Sequence, residues 1–89
     1  MKEPYLEVTY RHGRPLAAYL YMPRGSDEKS ARSVKAGPGM VVDFDRSGRP
    51  IGIEITAPGK VTLTALNEVL GGLGAPSVAA ADLAPLQAA

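Results

Sequence analysis

The first quarter of the chain alternates between apolar and polar positions with a period of two. Residues 5–10 and residues 16–22 each show this alternation, and a polar segment containing Gly13 separates them. Such alternation places successive side chains on opposite faces of a strand, and a short glycine-containing connection is typical of a β-hairpin. The pattern therefore predicts two antiparallel strands. Their predicted apolar face consists of Leu6, Val8, Tyr10, Leu16, Ala18, Leu20 and Met22.

The segment MVVDFDRSGRPIGIEI, residues 40–55, predicts a second hairpin. Apolar residues alternate on both sides of residues 45–48, which form a tight turn in this interpretation. The aspartate of that turn caps its own backbone, and its glycine accepts a positive φ. Just before this hairpin, residues 31–36 are a candidate fifth strand with Val34 as the only large apolar residue. Residues 23–30 between the two hairpins are polar, lack periodicity and predict a loop.

The same hairpin segment also fits the calcium-binding loop of an EF-hand. Asp43, Asp45, Ser47, Gly48 and Glu54 stand at the first, third, fifth, sixth and twelfth positions of such a loop. An EF-hand needs a helix on each side, whereas these flanks are rich in strand formers and interrupted by proline and glycine. The hairpin is therefore the favoured interpretation. In it, Asp43 and Glu54 lie on one outward face, where they either hold a cation weakly or are simply solvated.

The apolar period lengthens after residue 61. Leu63, Leu66, Leu70 and Leu73 recur at spacings of three and four, which is typical of an amphipathic helix. Thr62 is a suitable N-cap, and the glycines from position 71 onward end the helix. The sequence therefore predicts a helix over residues 62–73.

The remaining residues, 75–89, are rich in alanine and almost uncharged. A short helix over residues 77–83, limited by Pro85, fits this segment. An isolated helix of this length is marginal in water, so a frayed terminus is the favoured prediction. The alternative is an arm that contacts a partner through its large apolar residues, Val78, Leu83 and Leu86.

Together these elements predict an α+β fold: a small antiparallel β-sheet of four or five strands with one C-terminal amphipathic helix packed on one face. The predicted domain spans residues 1–74, and residues 75–89 form an Ala/Pro-rich C-terminal tail. The helix leucines are expected to contact the apolar sheet face, represented by Leu6, Val8, Leu20, Val42, Phe44, Ile51, Ile53 and Ile55.

The composition excludes several classes of function but does not identify a particular one. The chain has 89 residues, with Lys+Arg 10 against Asp+Glu 9 and a net charge of +1, so it lacks the basic balance of a nucleic-acid-binding domain. It has no cysteine and a single histidine, His12, which excludes disulfides, thiolate zinc sites and multi-histidine metal sites. No apolar run is long enough to cross a bilayer and no signal peptide is evident. A cytoplasmic protein without a cofactor is therefore expected.

A family resemblance adds to this picture. Residues 39–45, a turn ending in Gly48, and residues 51–55 resemble the pattern of a small prokaryotic family, domain-of-unknown-function family 2283. The strand pattern Ala18-Tyr19-Leu20-Tyr21 fits as well, so the resemblance covers residues 5–57. One departure is the basic first turn, residues 11–14, where relatives usually carry acidic residues. The resemblance implies a small β-rich domain, supplies no catalytic residues, and implies toxin-like proteins as partners of some members.

Two classes of function follow. Tyr5, Tyr19 and Tyr21 are expected on the sheet face opposite the apolar one, together with Asp43 and Glu54. The first hypothesis is a non-catalytic protein-interaction module that uses this face, an antitoxin-like partner of a toxin. A homodimer is expected, because pairing with a second copy would cover the open sheet edges and hide the tyrosines. The alternative is a ligand- or metal-binding domain, or an enzyme, that uses the Asp43/Glu54 face. No motif marks a nucleophile or general base, and the sole histidine is expected to be solvated in its turn.

Overall fold

The computed structural model describes residues 5–22 and 29–87, except for the side chain of Gln87. Most of the predicted loop over residues 23–30 lies outside these ranges. The described residues form five strands, a short 3₁₀ turn and two α-helices. In chain order these are β1 (Tyr5–Arg11), β2 (Arg14–Tyr21), β3 (Arg32–Lys35), β4 (Met40–Phe44), β5 (Pro50–Ile55), the 3₁₀ turn (Pro58–Lys60), α1 (Leu63–Gly72) and α2 (Ala80–Gln87).

The five strands form one antiparallel sheet in the order β1-β2-β5-β4-β3. Both predicted hairpins are present, as β1–β2 and β4–β5, and the pairing of β2 with β5 joins them. The predicted α+β fold class is confirmed. The candidate fifth strand forms as β3, although its sequence pattern is weak, because four consecutive residues pair with β4 from Arg32 opposite Phe44 to Lys35 opposite Val41.

The hydrophobic core lies between one face of the sheet and the two helices. Ile53 and Ile55 of the central strand β5 are fully buried, at 0% exposure, and helix residues cover them from above. Burial of each such side chain contributes roughly 1.5–3 kcal/mol. The buried cluster consists of Ala18, Leu20, Met22, Met40, Val42, Ile53, Ile55, Val61, Leu66, Leu70, Leu83 and Leu86.

Helix α1 is formed as predicted. The Thr62 hydroxyl accepts a hydrogen bond from the Ala65 N–H at 3.1 Å, which satisfies one of the free donors of the first turn. Leu66 and Leu70 are buried in the core, and Leu63 and Leu73 are partly buried against it. The chain leaves the helix through Gly74, whose φ of +73° favours glycine.

The prediction of a frayed terminus is wrong for the described part of the tail. Residues 80–87 form α2, and Leu83 and Leu86 are buried in the same core as the sheet. The connection before α2 is held by Asn67 of α1, whose side chain accepts from the Val78 N–H at 2.8 Å and donates to the Val78 carbonyl at 3.1 Å. At the far end, the Tyr10 hydroxyl donates to the carbonyl of Pro85 at 3.2 Å. The large apolar residues of the tail thus pack inside this chain.

Leu16 is a second departure from the predicted apolar face. Its neighbours in the pattern, Ala18 and Leu20, are buried, but Leu16 is 52% exposed. The pairing of β1 with β2 shifts register at this point, so that Thr9 faces Ala17, Tyr10 faces Pro15, and Leu16 has no partner opposite it. Such a bulge interrupts the alternation of a strand and bends it, which explains why the period-two pattern fails here.

Candidate functional site

Three tyrosines lie side by side on the sheet face opposite the helices. The rings of Tyr5 and Tyr21 are stacked, with centroids 4.5 Å apart and an angle of 16° between their planes. The ring of Tyr19 is tilted by 52° against Tyr21 at 4.6 Å. Two glutamates flank these rings on neighbouring strands. We call this set the tyrosine face; it comprises Tyr5, Glu7, Tyr19, Tyr21, Asp43 and Glu54.

The buried carboxylate of Asp43 anchors the tyrosine face. One of its oxygens accepts a hydrogen bond from the Tyr19 hydroxyl at 2.8 Å, and the other accepts from the Ser33 hydroxyl at 2.5 Å. The three residues stand on β2, β4 and β3, so the network spans most of the width of the sheet. Hydrogen bonds to a carboxylate are stronger than those between neutral groups. The network therefore fixes the orientation of the Tyr19 ring.

Gly52 provides the space that this network needs. It lies on β5, between the strands that carry Tyr19 and Asp43, and it pairs directly with Asp43. A Cβ atom at position 52 would overlap the Tyr19 ring, so the ring passes over the backbone of β5 at a place where only glycine leaves room for it. A glycine inside a strand often marks such a close approach. The sequence thus contained a signal for this contact at Gly52, whereas Ser33 carried none.

Asp43 and Glu54 occupy the predicted face but in different environments. Glu54 is exposed and stands opposite Val41, two positions along from the Asp43–Gly52 pair. Asp43 is only 7% exposed because the tyrosine covers it, and both of its oxygens accept hydroxyl hydrogen bonds. Within residues 5–22 and 29–87, no group of three or more potential metal-ligating His, Cys, Asp or Glu residues is found. The arrangement holds aromatic rings in place rather than gathering oxygen ligands.

The stretch that resembles a calcium loop is a hairpin turn. Oδ1 of Asp45 accepts hydrogen bonds from the Ser47 N–H at 2.9 Å, the Ser47 hydroxyl at 2.8 Å and the Arg49 N–H at 2.9 Å. Gly48 has a φ of +86°, and its N–H donates to the Asp45 carbonyl at 3.0 Å. Strands rather than helices flank the turn. The EF-hand alternative is therefore wrong, and the Asp45 carboxylate caps the backbone of its own turn.

These bonds stabilise the ionised form of Asp45. The Arg49 N–H, followed by the Ser47 hydroxyl, lowers the pKa of the carboxyl below its ordinary value. A pKa that is lower in the folded state than in the unfolded chain adds stability above the unfolded value, and this stability is lost as the pH falls through the folded value.

We expect Asp45→Asn to reduce the free energy of unfolding at neutral pH and to lose this deficit in acid. Asparagine keeps the side-chain carbonyl that caps the turn, so the variant removes the negative charge while leaving the hydrogen-bond acceptor in place. Urea unfolding of both proteins between neutral pH and about pH 3 should show the two stabilities converging below about pH 4. A difference that stays constant over this range would contradict the assignment of the stabilisation to the carboxylate charge.

His12 has a conformational role in the first hairpin. His12 and Gly13 both have positive φ, at 53° and 77°, which is the geometry of a two-residue turn matched to the twist of antiparallel strands. The histidine is exposed at the tip of the hairpin, between Arg11 and Arg14. Its position agrees with the predicted turn.

The fold and the tyrosine face define a small α+β domain, in which helices pack on one sheet face and the other carries ordered aromatic rings. Residues 17–57 match the family described as "Protein of unknown function (DUF2283)", which confirms the family resemblance over this part of the chain. The matched residues run from β2 to the end of β5 and include Tyr19, Asp43 and Gly52. No curated protein and no solved structure matches the chain. Neither helix in the described ranges is long and apolar enough to cross a membrane.

Proposed function

We propose that this chain is a non-catalytic protein-interaction module that binds a partner protein through the tyrosine face and forms a homodimer. The observation that carries the proposal is the ordered group of tyrosine rings on a sheet face that neither helix covers. Tyr5 is 50% exposed, although it is among the largest side chains in the domain. Aromatic residues of this kind dominate binding energy at protein interfaces.

The rigidity of the face supports a binding role. Tyr19 is held by Asp43, and Tyr21 donates a hydrogen bond to Glu7 at 3.1 Å while it stacks on Tyr5. Side chains that are ordered before binding lose less conformational entropy when a partner arrives. The face therefore offers contact area at a low entropic cost.

The charges on the face indicate the chemistry of the partner. Glu7 and Glu54 are both exposed on strands adjoining the tyrosines. Arginine and lysine side chains interact favourably with carboxylates and with the faces of aromatic rings. We propose a partner with a basic surface, and the family resemblance points to a toxin-like protein, which would make this chain an antitoxin-like module. The proposal includes a cytoplasmic location, which the absence of cysteine supports.

The alternative, a ligand- or metal-binding domain or an enzyme at Asp43 and Glu54, has less support. Tyr19 and Ser33 already occupy the oxygens of Asp43. A ligand at this carboxylate would have to compete with both bonds and displace the Tyr19 ring that covers it.

We expect the double variant Tyr5→Ala/Tyr21→Ala to lose the partner in affinity purification from the native host. Removal of two interface tyrosines should reduce recovery at least about tenfold, because truncation of such residues typically costs more than 1 kcal/mol each. Quantitative mass spectrometry of proteins recovered with the tagged chain gives the measurement.

Leu16→Ala is the matched control, since Leu16 is as exposed as Tyr5 but is not part of the tyrosine face. This variant should recover the partner as well as the wild type does, and circular dichroism should show all three proteins folded. Equal recovery by the wild type and the double variant, or no specific partner with the wild type, would contradict the proposal.

A further inference from the structure

The sheet, as far as the described residues go, ends at an unpaired edge on β3. The Ala36 N–H donates to the Met40 carbonyl at 3.1 Å, and the Thr56 N–H donates to the Gly39 carbonyl at 2.9 Å. The N–H and C=O groups of one strand residue point to the same side of the strand. The backbone groups of Met40 and of every second residue after it in β4 therefore form their hydrogen bonds with β3. Because Val34 stands opposite Val42, its backbone N–H and C=O point toward β4. The backbone groups of Ser33 and Lys35 consequently point away from the sheet.

An apolar groove of about 440 Å³ adjoins this edge on the helix side. Val34 of the edge strand forms one wall, and Val69 and Leu73 of α1 form the other, with Phe44 between them. Val34 is 44% exposed, which is high for a β-branched side chain beside a hydrophobic core. The edge thus combines free backbone groups with an incompletely covered apolar surface.

We propose that a second copy of this chain pairs with the edge, β3 antiparallel to β3, around a two-fold axis that passes beside Val34. This inference rests on the self-association proposed above and specifies how it occurs. The outward groups of Ser33 in one copy bond to those of Lys35 in the other, and the sheet becomes continuous across both copies. The two Val34 side chains face each other, and the two grooves join.

The charges of the strand select this register. Arg32 of one copy stands opposite Ala36 of the other in this register, so its guanidinium, which lies 4.9 Å from the centroid of the Phe44 ring of its own chain, faces an uncharged residue. A register centred on Lys35 would set two lysines directly opposite each other, which destabilises a strand pair. A register centred on Ser33 would set Arg32 against Val34 and leave no apolar pair.

The pairing has a consequence for binding. A two-fold axis perpendicular to the sheet places both tyrosine faces on the same side of the dimer. The dimer then presents two equivalent faces to partner molecules, and a multivalent partner would gain avidity from both. Neither tyrosine face is covered by this contact, so the edge pairing differs from a dimer in which a second copy hides the tyrosines.

Cross-linking tests the register directly, because the chain contains no cysteine. We expect Val34→Cys to form a disulfide-linked dimer under mild oxidation, since Cβ atoms of facing residues at a non-hydrogen-bonded pair lie about 4.5–5.5 Å apart. Leu16→Cys is the matched control, at 52% exposure on a strand far from β3. Cross-linking of Val34→Cys at micromolar protein should be at least about tenfold faster than that of the control, because pairing raises the local concentration.

A proline substitution tests the backbone pairing. Lys35→Pro removes an N–H that points away from β4, so the bonds within the chain are kept, whereas Lys35→Ala keeps that N–H. In sedimentation velocity the wild type and Lys35→Ala should be dimers, and Lys35→Pro should be a folded monomer. The proposed pairing is wrong if Lys35→Pro remains a dimer, or if Val34→Cys forms cross-links no faster than the control. Either result would leave self-association by another surface open. A monomeric wild type at all accessible concentrations overturns both, while the pull-down with the tyrosine variants separately tests the partner-binding face.

Discussion

Replacement of Leu83 by alanine is expected to lower the free energy of unfolding by about 3 kcal/mol. Leu83 is 2% exposed and lies within the core cluster, although it belongs to a segment whose composition suggests a frayed end. Loss of its side chain removes apolar burial and leaves a cavity beneath α2. A domain of 89 residues has a total stability of about 4–13 kcal/mol, so this single change should be visible as a large shift in the urea midpoint.

Leu16→Ala is the control for the Leu83 prediction. It makes the same chemical change on a leucine that is half exposed, and it should cost less than about 1 kcal/mol. Similar midpoints for the two variants would mean that α2 is not docked in solution. In that case the large apolar residues of the tail would again be available to a partner, and the prediction of an exposed arm would regain support.

Gly52→Ala is expected to destabilise the domain by about 2 kcal/mol, a typical cost of overpacking. The added methyl group occupies the space of the Tyr19 ring, so the ring must swing away from β5. That movement breaks the hydrogen bond to Asp43 and exposes a carboxylate that the ring normally covers. The same variant should weaken partner binding, because the geometry of the tyrosine face depends on this ring.

A double-mutant cycle separates the steric cause from the general effect of alanine in a strand. In a Tyr19→Ala background, Gly52→Ala should be neutral or slightly stabilising, since glycine loses more conformational entropy on folding than alanine does. The coupling energy between the two positions should therefore be about 2 kcal/mol. Additive effects of the two substitutions would show that the close approach of ring and backbone is not what requires glycine at position 52.

The matched family segment includes the parts of the tyrosine face that depend on one another. Tyr19, Gly52 and Asp43 all lie within residues 17–57. Gly52 leaves the space that the Tyr19 ring occupies, and Asp43 accepts the hydrogen bond of its hydroxyl. Ser33 completes the network from the edge strand. The Asp43 network thus links the tyrosine face to β3, the strand that we propose for self-association, so that Ser33 contributes its side chain to one surface and its backbone to the other.

The amino-acid sequence by itself determined the elements whose signals are local. Period-two alternation located both hairpins, and strand-forming flanks interrupted by proline and glycine distinguished the second hairpin from a calcium loop. Leucine spacing with the Thr62 cap located α1. It also placed the three tyrosines on one face, because side-chain direction in a strand follows directly from position. These features depend on neighbours within a few residues, which is why a single sequence carries them.

Only the tertiary structure decided the features that depend on distant pairs. The bulge that exposes Leu16 arises from the register of two strands, the docking of Leu83 arises from an apolar surface that α1 leaves open, and the burial of Asp43 arises from a tyrosine two strands away. A weak strand such as β3 is likewise stabilised by its pairing with β4 rather than by its own propensity. Contacts of this kind are set by which surfaces meet after folding, and local composition does not encode that choice.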